Sequence, residues 1–208
     1  QSALRAAMDE SFNCLTVDGD MSTNDAVFAL ANGRAKNKPI AEAGVDLDRF
    51  QTILTDVCQE MARAIAADGE GATRFLEVRV ENGPSRAISR DIAKAIAASS
   101  LVKAALFGAD PNWGRVLATG GARAGSQNYP IEPDACGVKI QGIAVFGQGG
   151  LLAHDQASLK ARMREPEIAI DVDLAAGDVG ATAWGCDLSY DYVKINADYT
   201  SLIIPGPD

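Results

Sequence analysis

The sequence predicts a mixed α/β (α+β) domain in which antiparallel strand pairing is expected, and three observations carry that reading. Leu76, Val78 and Val80 alternate with Glu77 and Arg79, the period-two pattern of a half-buried strand. Ile168, Ile170 and Val172 alternate in the same way, and Val179 to Leu188 follows closely enough to be read as their hairpin partner. Ile88, Ile92 and Ile96 recur every four residues, the spacing of one helix face.

The remaining elements follow along the chain. Gln1 to Met8 is already helical in character, with Leu4, Ala7, Met8 and Phe12 on one face and no capping residue before it. The chain is therefore expected to begin inside an element. Leu15-Thr16-Val17 is a short buried strand candidate that ends at Asp18-Gly19-Asp20. Ser22 or Thr23 reads as the cap of a helix through Val27, Leu30 and Ala31, stopped by Gly33. Leu47, Phe50, Ile53, Leu54, Val57, Met61 and Ile65 keep helical spacing over a long helix that ends at Asp68-Gly69-Glu70-Gly71. The apolar run from Leu101 to Leu106 fits helix or strand. Asp110 then reads as the cap of a helix with Pro111 as its first residue, broken at Gly120-Gly121. Val138, Ile140, Ile143 and Val145 give one or two strands, Ser158 to Arg164 a helix, and Tyr192-Val193 a last short helix leading to Asn196.

Composition narrows the function. The 208 residues are 47% hydrophobic and 23% charged, enough to bury a core in one chain spanning 1–208. A net charge of −9 without a basic cluster argues against nucleic acid, whose backbone demands a basic footprint. It suits a cationic small ligand instead. No apolar run approaches the roughly 20 residues of a membrane span. The four cysteines, Cys14, Cys58, Cys136 and Cys186, form no CxxC pair, so they read as reduced and buried rather than as zinc ligands. His154 is the sole histidine, and any His-dependent triad would have to be built on it alone.

Several stretches hold candidate chemistry. Asp18-Gly19-Asp20-Met21-Ser22-Thr23-Asn24-Asp25 gathers carboxylates and hydroxyls in one run; it resembles the start of a calcium loop but has Ala29 where that loop ends in glutamate. It is read either as a turn and helix cap or as the polar wall of a site. Asp68-Gly69-Glu70-Gly71 holds a carboxylate between two glycines, where Glu70 can approach an ammonium closely. Asp110-Pro111-Asn112-Trp113-Gly114-Arg115 concentrates an amide, an indole and a guanidinium in one turn. Gly147-Gln148-Gly149-Gly150 lacks the Gly-Lys-Ser/Thr ending of a phosphate loop, no GxGxxG is present, and Ser99 and Ser100 lack the spacing of a Ser-x-x-Lys pair to Lys103.

Taken together, these segments resemble one family. Ser11-Phe12-Asn13, Asp18-Gly19-Asp20 with Ser22-Thr23-Asn24-Asp25, Asp68 to Gly71, Val102-Lys103 with Leu106-Phe107-Gly108, Asp110 to Arg115, and Asn196 to Ser201 occur in this order in the β chain of the ornithine acetyltransferases (glutamate N-acetyltransferases). The resemblance implies an αββα sandwich similar to N-terminal-nucleophile enzymes, with the distinct topology of the ornithine acetyltransferases. It implies a precursor that cuts itself in two and whose β chain opens on a nucleophilic Thr. That Thr accepts acetyl from N2-acetylornithine and passes it to glutamate, giving N-acetylglutamate and ornithine for arginine biosynthesis. Some members also take acetyl-CoA as donor; no cofactor is implied. The expected partner is the α chain of the same precursor in an α2β2 particle, in the cytoplasm or, in a eukaryote, the mitochondrial matrix.

In that layout the Thr lies upstream of Gln1, so the resemblance places no catalytic nucleophile in this sequence. It places substrate-binding positions at Glu70, Asn196 and Ser201, with Glu70 meeting an amino group of the ornithine moiety. Asp18, Asn24, Asp25, Asn112 and Arg115 are expected to support the site, Arg115 with a carboxylate as its possible partner. Two other readings use the same residues: an N-terminal-nucleophile aminopeptidase or amidase on a similar scaffold, and an amino-acid-binding subunit without catalysis.

Overall fold

The computed structural model describes residues 1–198. Its centre is a six-stranded mixed sheet of β1 (Phe75–Gly83), β2 (Gly137–Ile140), β3 (Ile143–Gly147), β4 (Gly150–Leu151), β5 (Glu167–Asp173) and β6 (Val179–Cys186), in the order β4-β3-β2-β5-β1-β6. The helices are α1 (Ser2–Asp9), α2 (Val45–Ala67), α3 (Arg86–Ala98), α4 (Ser100–Phe107), α5 (Trp113–Gln127), α6 (Gln156–Arg162) and α7 (Tyr190–Ala197).

Alternation decides which strand face is buried. Leu76, Val78 and Val80 of β1 and Ile168, Ile170 and Val172 of β5 point to one side, where Ile92 and Ile96 of α3 and Val116 of α5 complete a single core. Each such side chain contributes about 1.5–3 kcal/mol on leaving water. On the other face, at the β1–β6 end, Phe75 and Trp184 pack with Cys14 and with Ala62 and Ala66 of α2. All four cysteines are free and buried.

β1 is the hinge of the topology. It pairs parallel with β5 and antiparallel with β6, so Val179–Cys186 is not a hairpin partner of β5 as the sequence suggested. The link between them crosses the end of β1 instead, held where Leu174 N donates to Glu81 O at 3.1 Å and Ala176 N to Asn82 O at 2.8 Å. Proximity in sequence favoured a hairpin; β1, whose Leu76, Val78 and Val80 are buried, instead takes a partner on each edge. β2 and β3 do form a hairpin, turning through Gln141 and Gly142, both with positive φ, as a tight two-residue turn requires.

Other expectations also change. No helix forms over residues 22–31: Met21 and Leu30 are 92% and 97% exposed, and a helix so short gains little without a surface to bury its apolar side against. Gly120-Gly121 does not break α5, because Ile92 and Ile96 of α3 sit opposite Gly120 and packing outweighs its low propensity. The cap of α5 is Asn112, not Asp110: Asn112 Oδ1 accepts from Arg115 N at 3.1 Å. The long helix has the expected span, yet its buried stripe is the small one, Cys58, Ala62 and Ala66. Phe50, Ile53, Val57, Met61 and Ile65, which suggested it, are exposed. The 15–17 segment makes a single parallel bridge, Leu15 to Trp184, beside β6.

Candidate active site

The site is built where the end of α2 meets the start of α7. After α2 the chain turns through Asp68, Gly69, Glu70 and Gly71 before entering β1. Gly71 has φ +67°, and a Cβ there would lie 2.4 Å from Tyr192 N, so only glycine lets α7 come this close. Ser189 fastens the contact. Its hydroxyl donates to Gly71 O at 2.5 Å and accepts from Asp191 N and Tyr192 N, capping α7.

This docking brings Glu70 and Asn196 together across 126 residues of sequence. Asn196 Nδ2 donates to Glu70 Oε2 at 2.7 Å and to Tyr192 O at 3.0 Å. Both side chains are exposed, and among the described residues no hydrogen bond occupies Glu70 Oε1. Asp18 joins from the N-terminal side, accepting from Tyr192 Oη at 3.0 Å and from Asp20 N at 2.9 Å. Burial, this hydrogen bond to Asp18 and the charges of Asp18, Asp20 and Glu70 push the Tyr192 hydroxyl above its ordinary pKa. A cluster of this sign attracts a cation and can hold an ammonium by charge-assisted hydrogen bonds.

Beneath the turn, Asp187 holds the chain as it enters β1. Its Oδ1 accepts from Thr73 N at 2.7 Å and Arg74 N at 3.1 Å, and its Oδ2 from the Thr73 hydroxyl at 2.5 Å. Arg74 Nη1 sits 3.7 Å from Asp187 and donates to the carbonyls of Leu106 and Phe107, capping the C-terminal end of α4.

The other expected residues lie elsewhere or act locally. Asn24 bonds with Ser22 in its own turn, and Asp25 is exposed on the same extended stretch. Asn112 caps α5 and donates to Asp110 Oδ2 at 3.0 Å, while Arg115 Nη1 donates to Leu101 O at 2.8 Å. That pair fastens α5 to α4, and Trp113 stacks on Phe146 at 5.1 Å. His154 precedes α6 with Nδ1 2.8 Å from Leu152 O. Ser201 lies outside the described residues.

Tyr192, Asp187, Ser189 and Arg74 were not singled out by sequence. Ser189 could have been, since a serine before Tyr190-Asp191 is a helix-start signal. Asp187 could not, because its partners are over 110 residues away.

A six-stranded mixed sheet covered by helices, with a carboxylate and an amide joined at its rim, places the chain in the mixed α/β class. Among the described residues a single sheet forms. The chain belongs to the ArgJ family, which matches residues 1–201. It is 47% identical over 210 residues to the arginine biosynthesis bifunctional protein ArgJ of a Synechococcus species, covering 97% of this chain and 50% of that protein. The protein of the same name from Lactococcus lactis is 47% identical over 201 residues, with the same coverage. The crystal structure of arginine biosynthesis bifunctional protein ArgJ from Bacillus halodurans superposes with a TM-score of 0.90 at 38% identity, covering 96% of this chain and 92% of that one. The chain thus spans about half the length of the curated relatives it matches.

Proposed function

We propose that this chain is the β-chain part of a glutamate N-acetyltransferase, moving acetyl from N2-acetylornithine to glutamate through an acetyl-Thr intermediate. The observation that carries the reading is the Glu70–Asn196 hydrogen bond, which joins two positions the family resemblance assigns to substrate. The Glu70 carboxylate binds an amino group of the ornithine moiety, and Asn196 holds that carboxylate in place. The resemblance assigns Ser201 to substrate as well. The nucleophile is the N-terminal Thr of the mature β chain, upstream of Gln1, with its own α-amine as base. The chemistry proposed needs no cofactor, and acetyl-CoA, a donor for some members of the family, is the second donor to test.

The partner is the α chain of the same precursor, in an α2β2 particle in the cytoplasm or mitochondrial matrix. Two features support a partner. The large apolar stripe of α2 from Phe50 to Ile65 is exposed, and Met21, Phe28 and Leu30 stand in water on the stretch that forms no helix. Relatives twice as long as this chain have the polypeptide to cover them.

The test is acetyl transfer in the enzyme purified with its partner chain, comparing wild type with Glu70→Gln. Transfer to glutamate with little free acetate is expected, with the KM for N2-acetylornithine raised about tenfold or more by loss of the charge. Release of acetate to water at the rate of donor consumption would favour the amidase reading and overturn this one.

A further inference from the structure

Lys103 is the bulkiest of the fully buried side chains, 1% exposed in α4. Burying an ammonium is costly unless its donors are used. Among the described residues no carboxylate pairs with it. Its Nζ donates to the carbonyl oxygen of Cys186 and lies 3.5 Å from Cys186 Sγ. Its own carbonyl accepts from Leu188 N at 3.2 Å. Lys103 therefore grips the end of β6 and the segment after it at two places, Cys186 and Leu188.

Three of the contacts that shape the Asp68–Arg74 turn come from that same segment. Cys186 Sγ fills the space under Gly69, where an added Cβ would lie 2.8 Å from the sulfur. Asp187 holds Thr73 and Arg74, and Ser189 holds Gly71. Core packing alone does not call for a lysine here; an apolar side chain of similar length would fill the same space without the desolvation cost.

We propose that Lys103 is a positioning residue for Glu70: its buried ammonium fixes the Cys186–Ser189 segment on which the Glu70 turn is built. This rests on Glu70 binding the substrate amine. Lys103 touches no substrate; it sets where the carboxylate stands, through Cys186 and Gly69.

The experiment is Lys103→Met in the enzyme purified with its partner chain, read by steady-state kinetics and by amide hydrogen exchange. The KM for N2-acetylornithine is expected to rise about tenfold while kcat changes less than about threefold. Exchange at Thr73 and Arg74, whose amides are held by Asp187, is expected to quicken, with β5 amides unchanged. A lower melting temperature with unchanged KM and unchanged Thr73 and Arg74 exchange would overturn the proposal. Should Lys103→Met not fold, Cys186→Ala removes the sulfur under Gly69 without touching the charge; it should quicken exchange at Thr73, and unchanged exchange there would equally overturn the proposal. Absence of transfer in the wild type would sink the acetyltransferase reading alone, because exchange reports on the turn independently.

Discussion

Gly71→Ala tests how closely α7 must dock on the Glu70 turn. Two costs add. Gly71 sits at φ +67°, where a Cβ costs about 1–2 kcal/mol. The same Cβ would lie 2.4 Å from Tyr192 N and 2.8 Å from Asp191 C, both backbone atoms that cannot rotate away. Overpacking of that kind costs about 1–3 kcal/mol more. The expected loss is about 2–5 kcal/mol, or roughly 5–15 °C in melting temperature for a chain of this size. Gly142→Ala is the control, since Gly142 has φ +75° with nothing within 4 Å of its added Cβ. It should lose only the backbone share, about 1–2 kcal/mol. The variants should also part in kinetics. Moving α7 away breaks the Ser189–Gly71 bond and separates Asn196 from Glu70, so Gly71→Ala should raise the KM for N2-acetylornithine while Gly142→Ala leaves it alone. Equal melting losses and equal KM values would refute the docking argument.

Further outcomes follow from the same contacts. Asn196→Ala should raise the KM for N2-acetylornithine about fivefold to tenfold with a small change in melting temperature, because its bond to Glu70 is exposed. Asn112→Ala should cost about 1 kcal/mol in thermal unfolding, as a lost helix cap does, without changing KM. Asp91 accepts two hydrogen bonds from Arg123 and one from Tyr129; the Arg123 bonds lead in holding its carboxyl below the ordinary range, against an opposing contribution from burial. Its folded pKa is depressed, so its stabilisation is present above the ordinary Asp range and is lost as pH falls through the folded value. Asp91→Asn should thus lower stability by about 1 kcal/mol at neutral pH and flatten the acid limb of a stability–pH curve; an unchanged acid limb would remove the pair from the account.

What the sequence discloses depends on how local the cause is. The strands at Leu76–Val80 and Ile168–Val172 and the helix at Ile88–Ile96 are legible because burial on one face repeats at a fixed period. The pairing partners are not, since β6 chose β1 over β5 through contacts far apart in the chain. The long helix was legible in span and misleading in face: Phe50, Val57 and Met61 have the spacing of a core stripe, but Ala62 and Ala66 are the ones that pack. The stretch 22–31 has caps and apolar spacing yet finds no surface to bury against, so its local signals produce no helix. In the site, Glu70 drew notice as a carboxylate between two glycines and Asn196 was reached through resemblance to a family, and nothing local to either residue says that they meet. Asp18 was legible as a polar position, whereas its partner Tyr192 was placed only as a helix residue. Asn112 and Arg115 drew notice for their density of function-bearing groups, and the fold spends them on a cap and on a tie between α4 and α5.

The most direct test of the central claim is the fate of the acetyl group from labelled N2-acetylornithine, followed in the enzyme purified with its partner chain and with glutamate present. The account predicts label in N-acetylglutamate, little in free acetate, and a sharp fall in capture of the donor at low concentration when Glu70 is changed to Gln. Label in acetate alone, or a Glu70→Gln enzyme with the KM of the wild type, would contradict it.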